Sequence, residues 1–334
     1  MGDNRVLGAL GAHLRTWRPY TIWYPGLVGL AGATLAADPH PTARLLAAWF
    51  VPTAIWTAAH YLGDYLDREL DAISKPQRPI PSGRMRPTTA LACGAFLAAA
   101  ACAAALAVNW RTVLLLAVGI GGALAYNGLF KARGIWGNLL RGALTGAAFA
   151  FGTMMAVPFP PPELMVFVVV FWSHDAASNL VGTLRDVAGD REGGYATFAV
   201  RRGLRTAGRT AVALYGLAVA TAAAGLLAVP RDRAAYLLVV LLAAVVGCGA
   251  FRLVFAPGHT LTPRTALRAH EVLVAERLIL AGALLVPGLG PAVALGILAP
   301  LLVLTICVQR AMRSKHEFAP EDRRAARLLN RPLV

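Results

Sequence analysis

Apolar runs of roughly 18 to 24 residues recur along the whole chain, each about the length that an α-helix needs to cross a bilayer. They fall near 20–37, 45–66, 88–108, 111–127, 138–157, 163–183, 205–228, 234–255, 268–287 and 291–308. Pro287, Gly288, Gly290 and Pro291 break the last two apart, which leaves 268–287 open to being a surface or re-entrant piece. The pattern predicts an all-α fold, a polytopic membrane helical bundle.

Composition agrees. Of 334 residues, 57% are hydrophobic and only 15% charged, where a soluble chain carries nearer a quarter; the mean hydropathy is +0.58. Arg15 and Arg18 stand where the apolar region of a cleavable signal would run, so the first span is expected to be an uncleaved anchor. Cys93, Cys102, Cys248 and Cys307 sit singly in apolar helices without metal-ligand spacing and read as small core residues.

A net charge of +15 invites a nucleic-acid reading, but its distribution argues otherwise. With the N-terminus in the cytoplasm, the outward loops hold only Arg44, Arg111, Arg231 and Arg233, and nearly all other basic residues face inward. That is the positive-inside pattern. No nucleic-acid partner is needed, and the basic end of the chain is expected at an anionic lipid surface. The expected organisation is a cytoplasmic N-terminal segment (1–19), a transmembrane domain (20–312) and a basic cytoplasmic tail (313–334). The expected location is a bacterial cytoplasmic membrane.

The scarce acids are not scattered. Asp64, Asp67, Glu69 and Asp71 close the second span, and Asp175, Asp186, Asp190 and Glu192 lie on and just after the sixth. Positions three, four and seven apart share a helix face. Thr53, Thr57, His60, Asp64, Asp67 and Asp71 form one such stripe, and Asp175, Asn179, Thr183, Asp186 and Asp190 another. Both run from mid-membrane to the same predicted side. Charges at helix ends are commonly just solvated, but two matched rows describe a cavity with a charged mouth at the cytoplasmic side. Carboxylates so spaced repel one another unless cations lie between them. Flexible oxygen-only donors point to Mg²⁺, which readily bridges to phosphates; the few histidines and the absence of HExxH argue against zinc. Arg78, Arg84, Lys131, Arg141, Arg185, Arg191, Arg201 and Arg202 stand near the acids and suit a polyphosphate. Metal ions and cations beside an apolar cavity fit a ligand with a diphosphate head and a hydrocarbon tail. His60 and the intramembrane Asp175 are further candidates on the same faces.

The stretch GDYLDRELDAISKPQRPIPSG resembles the NDxxDxxxD motif, with its trailing RPxxxG, of the UbiA superfamily of intramembrane prenyltransferases. RDVAGDREGGYATFAVRRG resembles that family's RDxxGDxxxGxxT, YNGLFKARG its YxxxxK loop, and TWRPYTIWYPG its Arg-Pro opening of the first span. The resemblance covers about residues 15 to 255. It implies about nine transmembrane helices around a central cavity, with Asp67, Asp71, Asp186 and Asp190 binding diphosphate through Mg²⁺, supported by Asp64. Lys131 and Arg78 would meet the diphosphate oxygens, with Arg141 and Asn179 also against the substrate. One departure stands out: Gly63 occupies the place of the family's first Asn, and His60, one turn earlier, is the candidate to compensate.

The implied reaction moves an isoprenyl group from an allylic diphosphate to an aromatic, quinonoid or other lipophilic acceptor. The alternative is a cyclase of the same superfamily, in which the prenyl chain captures its own cation and Asp175 or His60 takes the proton. A transporter of phosphorylated lipids would explain the spans but not why both aspartate motifs sit on one side. Tyr20, Trp23, Tyr24, Trp56, Tyr61 and Trp172 are candidates to line the tail channel or face the cation, although such residues commonly anchor a protein at the interface.

Overall fold

All ten apolar segments become helices in the computed structural model, which describes residues 2–39, 41–256 and 260–318. In chain order these are α1 (Gly2–Trp17), α2 (Pro19–Ala36), α3 (Thr42–Leu66), α4 (Arg68–Ser74), α5 (Pro87–Val108), α6 (Val113–Ala125), α7 (Ile135–Ala156), α8 (Val166–Leu184), α9 (Val187–Glu192), α10 (Phe198–Arg202), α11 (Leu204–Ala224), α12 (Arg233–Val254), α13 (Pro263–Leu289), α14 (Pro291–Val308) and α15 (Ser314–Glu317). Among the described residues, nine stretches are long and apolar enough to cross a membrane. A tenth long helix, α2, has 18 residues, and its first half is made less hydrophobic by Tyr20, Trp23 and Tyr24. The chain is an all-α, polytopic integral membrane protein.

One expectation is corrected. The segment 268–287 is neither superficial nor re-entrant: it belongs to α13, which runs unbroken, with 83% of its most apolar window buried against 6% for the span containing α6. Pro287 removes one backbone donor near the helix end, a loss that packed neighbours tolerate. The stop comes at Gly290, whose φ of 82° glycine adopts without strain.

Close approach of the backbones explains the abundant small residues. A Cβ on Gly152 of α7 would collide with the Gly29 carbonyl of α2, and one on Gly32 with the Phe149 carbonyl. Within lipid, helices gain little from apolar burial against each other, so such contacts carry much of the association. Around this crossing, Tyr24, Leu27, Phe149, Phe167, Phe171 and Leu284 form a core that joins α2, α7, α8 and α13. At the charged end, α1 is tied to α3: His13 Nδ1 and Trp17 Nε1 both lie 2.6 Å from the Tyr61 hydroxyl.

Candidate active site at the ends of α3 and α8

The two aspartate motifs fold by the same local device. Helix α3 stops at Leu66 and resumes as α4, with Asp67 between them at φ −83°, ψ 0°. Helix α8 gives way to α9 in the same manner, with Asp186 at φ −94°, ψ 1°. Both residues occupy the bridge region of backbone space, where functional residues are frequent. Each carbonyl still accepts the N–H four residues on, Asp71 N to Asp67 O and Asp190 N to Asp186 O, both at 2.8 Å. Each motif thus places one carboxylate at a helix break and a second one turn later. A two-residue parallel pairing of Arg133–Gly134 (β1) with Ala196–Thr197 (β2) ties the loop after α6 to the second motif.

A cavity of about 230 Å³ lies between these helices, and Asp64, Asp67, Asp186 and Asp190 line it. Asp71 lies off the cavity, buried, and binds the Nη1 of Arg78 at 2.8 and 2.9 Å; Arg78 itself is a lining residue. Every other mouth carboxylate except Asp190 also has a cation. Arg18 binds Asp64, and Lys131 binds Asp67. Asp186 takes Arg185 Nη2 at 2.7 Å and Nε at 3.1 Å, and lies 3.3 Å from Lys75 Nζ. Burial alone would raise the Asp186 carboxyl, but Arg185 and Lys75 outweigh it and hold it at about 2. Asp190 behaves oppositely: burial and then the neighbouring Asp186 push it up to about 6. Burial would lower Lys131, yet the Asp67 carboxylate raises it.

A residue absent from the sequence reading joins this end. The last helix passes through a π-turn, Gln309–Arg313, into α15, and Glu317 reaches 3.3 Å from Lys75, 3.4 Å from Arg185 and 3.9 Å from Arg78. The carbonyl of His316 accepts from Gln77 Nε2 at 2.9 Å. This first part of the expected tail therefore lies on the cavity mouth; 319–334 fall outside the described residues.

Deeper in the cavity lies a second charged layer. Asp175 accepts from Thr145 Oγ1 at 2.9 Å and sits 3.3 Å from Arg277 Nη1 and 3.4 Å from Arg141 Nε. Arg141 stacks on Trp56, 4.0 Å from the ring centroid, and Arg277 on Tyr24 at 4.4 Å. Asn179 lines the cavity beside this layer and accepts from Asn138 Nδ2 at 2.8 Å. The residue before Arg277 in α13 makes a separate contact: Glu276 is held by His174 at 2.5 Å and Tyr215 at 3.1 Å. Charges within the apolar run HEVLVAERLILAGALL were the signal that would have found Arg277 and Glu276.

Other candidates sort themselves. His60 lines the cavity, but its Nδ1 lies 3.1 Å from the Trp17 carbonyl, a contact made to α1. The side chain beside Gly63 is Asn127, whose Oδ1 would stand 3.4 Å from a Cβ there; this lining residue comes from the π-turn Tyr126–Phe130. Thr53 and Thr57 spend their hydroxyls on carbonyls one turn back and do not line the cavity. Arg84, Arg191, Arg201 and Arg202 are exposed away from it, whereas Arg78, Lys131, Arg141 and Arg185 line it. Of the six aromatics, Tyr20 and Trp56 are lining residues. Trp56 also lines an apolar side pocket of about 90 Å³ between α3, α6 and α7, together with Leu116, Ile120, Leu144 and Phe151.

The donor set fits Mg²⁺. It is all oxygen, its carboxylates gather at one end, and the buried Asp64 Oδ2 has no hydrogen-bond partner among the described residues. Among those residues no three His, Cys, Asp or Glu side chains stand as a ready cluster, since Lys and Arg hold the carboxylates.

Comparisons with known proteins follow this geometry. A family model described as the UbiA prenyltransferase family matches residues 23–260. The digeranylgeranylglyceryl phosphate synthase of Ignicoccus hospitalis is 31% identical over 232 residues, covering 66% of this chain and 74% of that protein. The synthase of the same name from Korarchaeum cryptofilum is 29% identical over 215 residues, covering 64% and 75%. Among solved structures, an apo UbiA homologue from Aeropyrum pernix superposes with a TM-score of 0.69 at 18% identity, over 79% of this chain and 97% of that one. A UbiA homologue from Archaeoglobus fulgidus bound to GPP and Mg²⁺ gives 0.59 at 17% identity, over 91% and 99%. At such identities the structures speak for the fold alone.

Proposed function

The chain belongs to the UbiA prenyltransferase family, and from that premise we propose that it is a Mg²⁺-dependent intramembrane prenyltransferase that moves an isoprenyl group from an allylic diphosphate to a lipophilic acceptor and releases diphosphate. The observation that carries this reading is a cavity with five carboxylates, Asp64, Asp67, Asp186, Asp190 and Glu317, at one end and an adjacent apolar pocket that shares Trp56, Ala59, Ala123 and Leu144 with it. The diphosphate head belongs with the charges and the prenyl tail with Leu116, Ile120 and Phe151. The solved relative with GPP and Mg²⁺ supports this pairing of ligand and ion.

Asp64, Asp67, Asp186 and Asp190 would hold Mg²⁺, which when bound supplies positive charge that favours departure of the diphosphate, while Asp71, off the cavity, would hold Arg78 in place. The chain's own cations do related work. Lys131, Arg78, Lys75 and Arg185 place fixed positive charge where the leaving oxygen becomes negative. Breaking the C1–O bond sends its electron pair to the diphosphate and leaves an allylic cation; the acceptor then supplies the pair for the new bond and loses its proton to the released diphosphate or to water. Trp56 lines both pockets at the junction of head and tail, and its ring carries the Arg141 guanidinium at 4.0 Å. The distribution of basic loops supports a mouth that faces the cytoplasm.

The relatives named above are called for a glyceryl phosphate product, which favours a non-aromatic acceptor over an aromatic or quinonoid one. The test is product analysis: membranes with Mg²⁺ and geranyl, farnesyl or geranylgeranyl diphosphate, with and without acceptors, beside an Asp186→Ala control. Diphosphate release that needs an acceptor and disappears in the control supports transfer. A cyclic terpene formed without acceptor would replace it with the cyclase reading.

A further inference from the structure

Asp175 stands between two guanidiniums, and the contacts it makes leave part of one of them unspent. Arg277 Nη1 faces the Asp175 carboxylate at 3.3 Å, while Tyr24 covers the guanidinium face. The remaining edge, Nε and Nη2, has no hydrogen-bond partner among the described residues, although the side chain is only 4% exposed. Those two N–H groups are parallel and spaced to match two oxygens of one oxyanion. Ser178, one turn along α8 from Asp175, is buried and lines the cavity, and its hydroxyl is likewise unpartnered among the described residues.

Leaving guanidinium N–H groups without partners inside a membrane bundle is costly. Nearby acids do not relieve that cost. Both oxygens of Glu276 are engaged by His174 and Tyr215, and Asp175 is shared with Arg141. Arg277 lines the cavity and its unpartnered edge is buried at that wall, so an anion seated there would be the first partner of these donors.

We infer that the inner end of the cavity is a second oxyanion seat, built on the Nε–Nη2 edge of Arg277 with Ser178 beside it, and that it takes the phosphate or carboxylate head of the acceptor. Resting on the transferase reading, this divides the cavity by charge. The diphosphate lies at the mouth, the prenyl tail in the side pocket, and the acceptor head on Arg277. Arg141 lines the main cavity and stacks on Trp56, a residue that lines the side pocket as well. Asp175 then acts as a positioning residue that fixes the orientation of Arg277.

The test is binding to the full chain in nanodiscs, measured calorimetrically, with hexyl phosphate, hexanol, inorganic phosphate and Mg²⁺-pyrophosphate as probes. Hexyl phosphate should bind the wild type together with pyrophosphate, without mutual displacement. Its affinity should fall at least tenfold in Arg277→Lys, which keeps the charge and loses the edge, and in Arg277→Gln, while pyrophosphate binding stays within twofold. Hexanol should bind equally to all three proteins. Displacement of hexyl phosphate by pyrophosphate in the wild type would place it at the mouth and overturn the inference, with no variant needed. So would unchanged affinity in folded Arg277 variants, and so would inorganic phosphate binding as tightly as hexyl phosphate, which would mark a free-phosphate site. If the Arg277 variants do not fold, Ser178→Ala serves, with a threefold or greater loss expected and no loss overturning the seat. Failure of pyrophosphate to bind wild type with Mg²⁺ would instead sink the transferase reading, a separable result.

Discussion

The mouth and the inner end of the cavity hold charges of both signs but use them differently. At the mouth, acids and bases are nearly matched: Asp64 with Arg18, Asp67 with Lys131, Asp71 with Arg78, Asp186 with Arg185 and Lys75, and Glu317 with three cations. At the inner end, two guanidiniums share Asp175, and one edge of Arg277 is spare. Matched pairs can exchange partners when a ligand brings new charge of both signs, as a metal diphosphate would. A spare donor edge needs only one anion. The mouth therefore has the form of an exchange site and the inner end that of a receptor.

Breaking the mouth should have the largest effect on turnover. Asp67→Ala and Asp186→Ala should each lower kcat/KM by roughly 10²–10³-fold, the scale of losing a preorganised electrostatic partner, with thermal stability in detergent lowered only modestly. Assays of diphosphate release with Mg²⁺ check this. The inner end should answer in the opposite order. Asp175→Asn leaves the buried Arg277 and the half-buried Arg141 without their carboxylate, which costs about 3–5 kcal/mol when a buried pair is broken. Its melting temperature should therefore fall well below those of the mouth variants, and a melt equal to wild type would show that Asp175 is no structural anchor of this layer.

What the sequence revealed follows the same division. The mouth was legible because helical spacing alone puts Asp64 and Asp67 on one face, and Asp186 and Asp190 on another, whereas Asp71, which the same spacing included, lies off the cavity against Arg78. The helix breaks at Asp67 and Asp186 were not legible, since no proline or glycine marks them; they appear only as shared backbone angles. Glu317 lies more than 240 residues from Lys75, a separation that no local pattern reports. Arg277 was visible as a charge in an apolar run, but proline and glycine after 286 made that run look peripheral, whereas packing puts α13 at the centre. Asn127 beside Gly63 depends on how the π-turn after α6 meets α3, which is a tertiary fact.

Glu317 sharpens the picture of an exchange site. Its carboxylate holds Lys75, Arg78 and Arg185, the same cations assigned to the diphosphate. Glu317→Gln removes that negative charge and leaves the cations free to take an anion, so Mg²⁺-pyrophosphate should bind more tightly, by about tenfold at most, equivalent to ~1.4 kcal/mol. Hexyl phosphate at the inner end should be unaffected. Weaker pyrophosphate binding would mean that Glu317 holds the cations in their working positions.

The smallest effect separates the two aspartates of the second motif by pH. The Asp190 carboxyl is pushed up to about 6 by burial and then by Asp186, so the folded chain binds that proton more tightly than the unfolded one, where the value is about 3.9. The stability this contributes is complete below about 4 and is lost as pH rises through about 6. Burial would raise Asp186 as well, but Arg185 and Lys75 hold it at about 2, so its contribution is present above about 4 and fades only as pH falls toward 2. With Mg²⁺ removed by EDTA, Asp190→Asn should flatten the fall in melting temperature between pH 5 and 7.5 and stabilise the protein at the upper end, by about 1 kcal/mol once solvent screening is allowed for. Asp186→Asn should destabilise it across the whole range. If both variants shift the melt in the same direction at pH 7.5, the two carboxylates do not stand in the opposite electrostatic surroundings that the structure gives them.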